Sequence, residues 1–249
     1  MSHSQLAVAV APELRFFLHR RARAADAIAV DRDGISSLGH IVESLGVPLT
    51  EVGSLIVNGG PATPSYRPGA GDVAQVLPMP RPQKLPVPRF VLDVHLGTVA
   101  RRLRVVGVDT AYPHDRGDEA LIDQANAQHR ALLTQDRGLL RQHRLWLGAY
   151  VRGARPDEQF ADVLDRFAPP LAPWSRCTVC NALLVPAPKG DVEPLLQPGT
   201  RRTYQAFAQC PGCSQVYWRG AHAGRLEGIV ESAFRAVRAA RAAHPAARL

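Results

Sequence analysis

Residues 89–94 read Arg89-Phe90-Val91-Leu92-Asp93-Val94, an apolar strand-like run broken by one carboxylate. A charge at the end of such a run is costly to bury unless it is hydrogen-bonded, paired or bound to metal. Two roles fit Asp93 equally at this point, a cap for the element that follows or a metal ligand. The pattern downstream predicts a helix over 97–106, with Val99, Leu103 and Val106 inward and Arg101, Arg102 and Arg104 outward. A second helix over 118–128 opens with Asp118-Glu119, which suits the positive end of a helix dipole. Ala131-Leu132-Leu133-Thr134 then forms a short strand running into Gln135-Asp136-Arg137. Strand, helix, helix, strand with acids at both strand ends predicts an α/β sheet, where ligands bind at the strand C-termini.

Asp93, Asp118 or Glu119, and Asp136 are therefore expected to converge. Three carboxylates repel one another unless a hard cation lies between them, and Mg²⁺ or Mn²⁺ suits oxygen ligands. Such a site activates a water and neutralises charge developing on a phosphodiester during in-line attack.

Farther along, Cys177-Thr178-Val179-Cys180 and Cys210-Pro211-Gly212-Cys213 form two C-x-x-C knuckles separated by 29 residues. Their spacing predicts one tetrahedral, structural zinc site with no open coordination position. Tyr217-Trp218 follow the second knuckle, with Arg219, His222 and Arg225 close by. Trp218 and His222 are expected to stack on bases or touch phosphates, and one of the two aromatics to pack the ribbon's core instead. Residues 225–241 read as a helix with a stripe of Leu226, Ile229, Val230, Ala233 and Val237 and an Arg235, Arg238, Arg241 face.

Upstream, five prolines within 78–88 predict a stiff extended linker, and Ala168-Pro169-Pro170-Leu171-Ala172-Pro173 a softer break. Three modules follow: 1–80, a linker at 81–88, 89–168 and 174–249. In the first, Leu14–Leu18 and Ala27–Val30 read as strands and 36–46 as a helix capped by Ser36 or Ser37 and stopped by Gly46. Asn58-Gly59 after Leu55-Ile56-Val57 marks a hairpin, and 72–77 a last strand. Strand, strand, helix, strand, strand is the β-grasp order.

The chain carries 30 basic and 22 acidic residues, and residues 1–83 are balanced, so the net +8 resides beyond them. This asymmetry points to a polyanion such as RNA for the second part only. Arginine accounts for all but Lys84 and Lys189, which reads equally as a codon bias. No run approaches the ~18 apolar residues of a membrane span. The apolar N-terminal run has no basic residue before it, which makes a poor leader, and a cytoplasmic protein is expected.

Asp93-x-x-Leu96-Gly97-x-x-Ala100-Arg101-x-Leu103-Arg104-x-x-Gly107-x-Asp109-Thr110, then Asp115-x-x-Asp118-Glu119 and Leu132-Leu133-Thr134-x-Asp136-Arg137, resembles the MUT-7 C-terminal ribonuclease domain, a PIN-like family. The resemblance implies a Mg²⁺- or Mn²⁺-dependent ribonuclease with Asp93, Asp118 and Asp136 as catalytic acids, and Glu119 and Asp115 as further ones. It also implies a zinc ribbon on Cys177, Cys180, Cys210 and Cys213. Gln135 stands where the family usually has Arg, and His95 where an apolar residue is usual. Arg101, Arg104 and Arg137 are expected to hold the RNA backbone, with tRNA or the ribosome among the partners. A non-catalytic RNA- or ribosome-binding protein on the same fold is the alternative.

Val47-Pro48-Leu49-Thr50-Glu51-Val52 with Ile56-Val57-Asn58-Gly59 and Gly71-Asp72-Val73 resembles the ubiquitin-like sulfur carriers and their fused relatives. Those carriers act through a terminal Gly-Gly. Here Gly59-Gly60 lies inside a turn and the module runs on through Val76-Leu77-Pro78, so docking of a protein partner or a structural role is expected.

Overall fold

The computed structural model describes residues 5–220 and 223–243, in two compact units. One unit comprises the chain up to Pro80 together with Asp136–Tyr150, and the other Arg81–Gln135 with the chain from Val151 onward. No helix among the described residues is long and apolar enough to cross a membrane.

The first unit is a ubiquitin-like β-grasp. Strands β1 (Gln5–Val10), β2 (Ile28–Asp31), β3 (Val52–Val57), β4 (Gly60–Ala62) and β5 (Val73–Pro78) pair in the order β2-β1-β5-β3-β4. The central β1–β5 pair is parallel and the other pairs are antiparallel. Helix α1 (Leu38–Ser44) starts where expected, because the Ser37 side chain accepts from the His40 amide. Its Leu38, Ile41 and Val42 join Leu6, Val8, Leu55 and Val76 in the core. Asn58 and Gly59 hold φ of 50° and 82° between paired Val57 and Gly60, the two-residue turn that matches strand twist.

One expected element is corrected. Residues 14–18 are not a strand, since Pro12–Phe17 winds as a 3₁₀ turn. Pro12 has a fixed φ and no amide proton, which favours a helical start, and Glu13 sits in the first turn. The first strand is instead the Leu6-Ala7-Val8-Ala9-Val10 run, whose Leu6, Val8 and Val10 point into the core.

In the second unit, β6 (Arg89–Leu92) is followed by helix α2 (Gly97–Val105), strand β7 (Asp109–Ala111), helix α3 (Asp118–Ala127) and strand β8 (Ala131–Thr134). Strands β7 and β8 pair in parallel with β6 on its two sides. Phe90, Val91, Leu92, Leu132 and Leu133 are fully buried, as strands covered on both faces require. Between α2 and β7 the chain turns at Gly107, with φ of 82°. A Cβ there would lie 1.9 Å from the Ala172 carbonyl oxygen. Gly107→Ala is therefore expected to cost at least about 2 kcal/mol and lower the melting temperature by roughly 5 °C. An unchanged melting temperature would show that the 172 segment yields freely.

Residues 136–150 carry helix α4 (Arg137–Leu140) and strand β9 (Gly148–Tyr150) and pack within the first unit. There the Arg137 guanidinium donates to the carbonyls of Phe17 (2.7 Å) and Phe16 (3.2 Å), and the Tyr150 amide donates to buried Glu51 at 2.8 Å.

The second unit resumes with helix α5 (Pro156–Phe167) and the cysteine ribbon. The ribbon's antiparallel sheet is formed by β10 (Val185–Ala187), β11 (Phe207–Gln209) and β12 (Val216–Tyr217) over a small core of Val192, Phe207 and Val216. Helix α6 (Ala223–Ala243) packs against α5 and α2, burying Ala233, Val237 and Ala240.

Candidate active site and cysteine centre

Asp93 stands one residue beyond β6 and is held from two sides. One carboxylate oxygen accepts from the Val94 amide at 2.5 Å, opening a 3₁₀ turn over Val94–Leu96. The other accepts from the Thr134 hydroxyl at 2.7 Å, and Thr134 ends β8 fully buried. The Asp93 amide donates to the Leu133 carbonyl at 3.1 Å. The capping role is thus real. It also leaves a half-exposed carboxylate with its orientation set by neighbouring strand ends, as a ligand's supporting groups would set it. Tyr112, just past β7, donates its hydroxyl to the Val94 carbonyl at 2.7 Å and lies where a Gly97 side chain would stand.

The other acids are placed less tightly. Asp118 and Glu119 are exposed in the first turn of α3, and Asp115 is exposed in the loop before it. Asp136 caps α4, accepting from the amides of Gly138 (2.6 Å) and Leu139 (3.4 Å). Among the described residues, the four cysteines are the group of metal-binding side chains whose ligand atoms draw together. Their sulfurs all lie within 4.8 Å of one another, with Cys177–Cys213 at 3.5 Å and Cys180–Cys210 at 3.3 Å. Zinc–sulfur bonds of about 2.3 Å in a tetrahedron put sulfurs about 3.8 Å apart, so this donor set fits a zinc ion.

The Cys177 thiol is opposed by burial, but the Tyr217 hydroxyl at 3.1 Å and the Cys180 and Val179 amides outweigh it and bring the thiol down to about 6. Burial pushes Cys180 up to about 12. A zinc ion held by these four sulfurs would take the place of thiol protons.

The ribonuclease-domain model of the Mut7-C family matches residues 88–230, over half of the chain. The chain belongs to the Mut7-C RNAse domain family. The Mut7-C ubiquitin model matches residues 3–84, in register with the β-grasp. No curated protein and no solved structure matches the chain.

Within this Mut7-C domain, two arginines expected at RNA are spent on the fold. Arg104 is buried, with its guanidinium on the carbonyls of Thr110 (2.8 Å), Thr178 (3.0 Å) and Val179 (2.7 Å). Arg137 holds the Phe16 and Phe17 carbonyls and lies over the Phe17 ring at 5.0 Å. Arg101 is exposed on α2. Of the ribbon's aromatics, Tyr217 turns toward Cys177 and the Thr178 amide, whereas Trp218 stays 42% exposed. His222 lies outside the described residues. Gln135 donates to the carbonyls of Val151 (2.9 Å) and Gly153 (2.7 Å), which fixes the loop ahead of α5.

Sequence reasoning missed two residues of this Mut7-C domain. Thr134 orients Asp93; its signal was a hydroxyl inside a wholly buried run. Asp109 gathers Arg130 (2.6 Å), Asn181 (2.8 Å) and Arg176 (3.4 Å), tying β7 to the first cysteine knuckle.

Proposed function

We propose that this Mut7-C protein is a cytoplasmic ribonuclease that hydrolyses RNA phosphodiester bonds with Mg²⁺ or Mn²⁺. The supporting observation is Asp93, a carboxylate held by Thr134 and Val94 at the C-terminal end of a parallel sheet, inside a matched RNAse domain. Asp93 and Asp118 are the proposed ligands from the second unit, with Glu119 or Asp115 in support. Asp136 enters by the sequence pattern alone. A metal held there would contribute positive charge toward the phosphodiester and acidity toward a water. The protein's part is to aim Asp93, which the hydrogen bonds from the Val94 amide and the Thr134 hydroxyl do. Exposed Arg101 and Trp218 would contact backbone and base. The cysteines would hold structural zinc, and the ubiquitin-like domain would dock a protein partner.

A second reading, RNA or ribosome binding without cleavage, is favoured by Gln135. It occupies a position next to Asp136 and is committed to two carbonyls of the fold.

The deciding test is cleavage of a labelled single-stranded RNA pool by the zinc-loaded chain, with and without added Mn²⁺. Cleavage that appears only with Mn²⁺ supports the nuclease. Binding of the pool without cleavage under either condition moves the assignment to the second reading.

A further inference from the structure

Arg104 was expected to face RNA, yet it is 4% exposed at the last turn of α2. A buried guanidinium is costly unless its donors and its charge are both matched. Its Nε and Nη1 donate to main-chain carbonyls, and two of these belong to Thr178 and Val179, the residues between Cys177 and Cys180. Its charge faces the knuckle as well. Four thiolates around one divalent cation carry a net charge of about −2. Across the site, Tyr217 contacts the Cys177 sulfur at 3.1 Å and accepts from the Thr178 amide at 3.1 Å. The first knuckle is thus held by Arg104 and by Tyr217. Its flanks are gripped too: Arg176 reaches the Gly107 carbonyl at 3.3 Å, and the Asn181 side chain accepts from the Thr110 amide at 3.0 Å.

We propose that Arg104 is a positioning residue that joins the cysteine centre to the α/β module, so that zinc occupancy sets the order of α2 and β7. Helix α2 begins three residues after the Asp93 turn opens, and β7 lies against β6. Metal loss in the ribbon therefore loosens the elements that flank Asp93. Only the link to catalysis rests on the ribonuclease reading. The link to order and metal affinity stands without it.

The experiment uses the full chain and no RNA. Zinc affinity is measured by competition with a chromogenic chelator, and hydrogen exchange is followed across residues 97–111 and 176–217. Stripping zinc from the wild type is expected to raise exchange in both segments. Arg104→Met is expected to weaken zinc binding on the order of 10–100-fold, as loss of supporting groups does at other metal sites. It should also raise exchange at 97–111 with zinc still bound. Arg104→Lys keeps the charge without the planar fork, so it should recover affinity but not protection. Exchange rising only at 176–217 after stripping overturns the proposal, as does wild-type zinc affinity in Arg104→Met. If Arg104→Met fails to fold, the stripped wild type still decides. Loss of cleavage in some other assay would bear on the nuclease reading alone.

Discussion

Asp93→Asn is expected to reduce RNA cleavage by about a thousand-fold or more while leaving the fold intact. A thousand-fold corresponds to roughly 4 kcal/mol of transition-state stabilisation, a plausible share for one anionic ligand of a metal that neutralises phosphoryl charge. The structural cost is small by comparison. Asn keeps a side-chain oxygen for the Val94 amide, and the Thr134 hydroxyl can rotate to accept from the new amide group. Exchanging these two charged hydrogen bonds for neutral ones costs about 1–2 kcal/mol. Cleavage and thermal melting measured on the same preparation separate these contributions. RNA binding should persist, because it draws on arginines rather than on this carboxylate, and should weaken with salt as in the wild type. Cleavage at wild-type rate in the variant would remove Asp93 from the site. Equal loss of cleavage and of melting temperature would make Asp93 a cap and nothing more.

The contrast between Asp93 and Arg104 shows what was legible in the chain. Asp93 announced itself because a carboxylate ending an apolar run is a local anomaly, and so did helix α1, whose Ser37 cap and 38, 41, 42 spacing are written within seven residues. The hairpin at Asn58-Gly59 and the cysteine knuckles were local in the same sense. Arg104 followed the local rule for an outward helix position and broke it, because two of its three acceptors lie 74 and 75 residues away. A helix has a second face, and periodicity cannot say that another element covers it. Arg137 misled in the same way, its acceptors standing 120 and 121 residues earlier. The misread strand at 14–18 has a different cause. The apolar run suggests a strand, but Pro12-Glu13 ahead of it starts a helical turn. The candidate metal site was legible as residue types at strand and helix ends; the hydroxyl of Thr134 that aims Asp93 depends on the pairing of β6 with β8, which sequence alone does not state.

Asp109 carries the second large expectation, because Arg130, Asn181 and Arg176 all close around it. Burial raises the cost of its charge, yet the hydrogen bonds from Arg130 and Asn181 and the nearby Arg176 outweigh it and hold the carboxyl below its ordinary value. Replacing it with Asn leaves the Arg130 and Arg176 guanidinium groups, both mostly buried, facing a neutral amide. Removing one partner from a buried ion pair typically costs about 3–5 kcal/mol, and the residual exposure of Asp109 places Asp109→Asn near about 3 kcal/mol. The melting temperature should then fall by roughly 6–12 °C. The pH dependence gives an independent check. A carboxyl with a lowered value in the folded state stabilises the protein above its unfolded value, near 3.8, and that stability is lost as pH falls through the lower folded value. Wild type should therefore lose stability faster than the variant below about pH 4 and the two should approach one another in acid. Parallel curves down to acid pH would show that Asp109 contributes by shape rather than by charge. Because Asn181 directly follows Cys180, a variant that melts early should also surrender zinc early, and release of metal at the same temperature as loss of the α/β module would tie the two events to one cooperative unit.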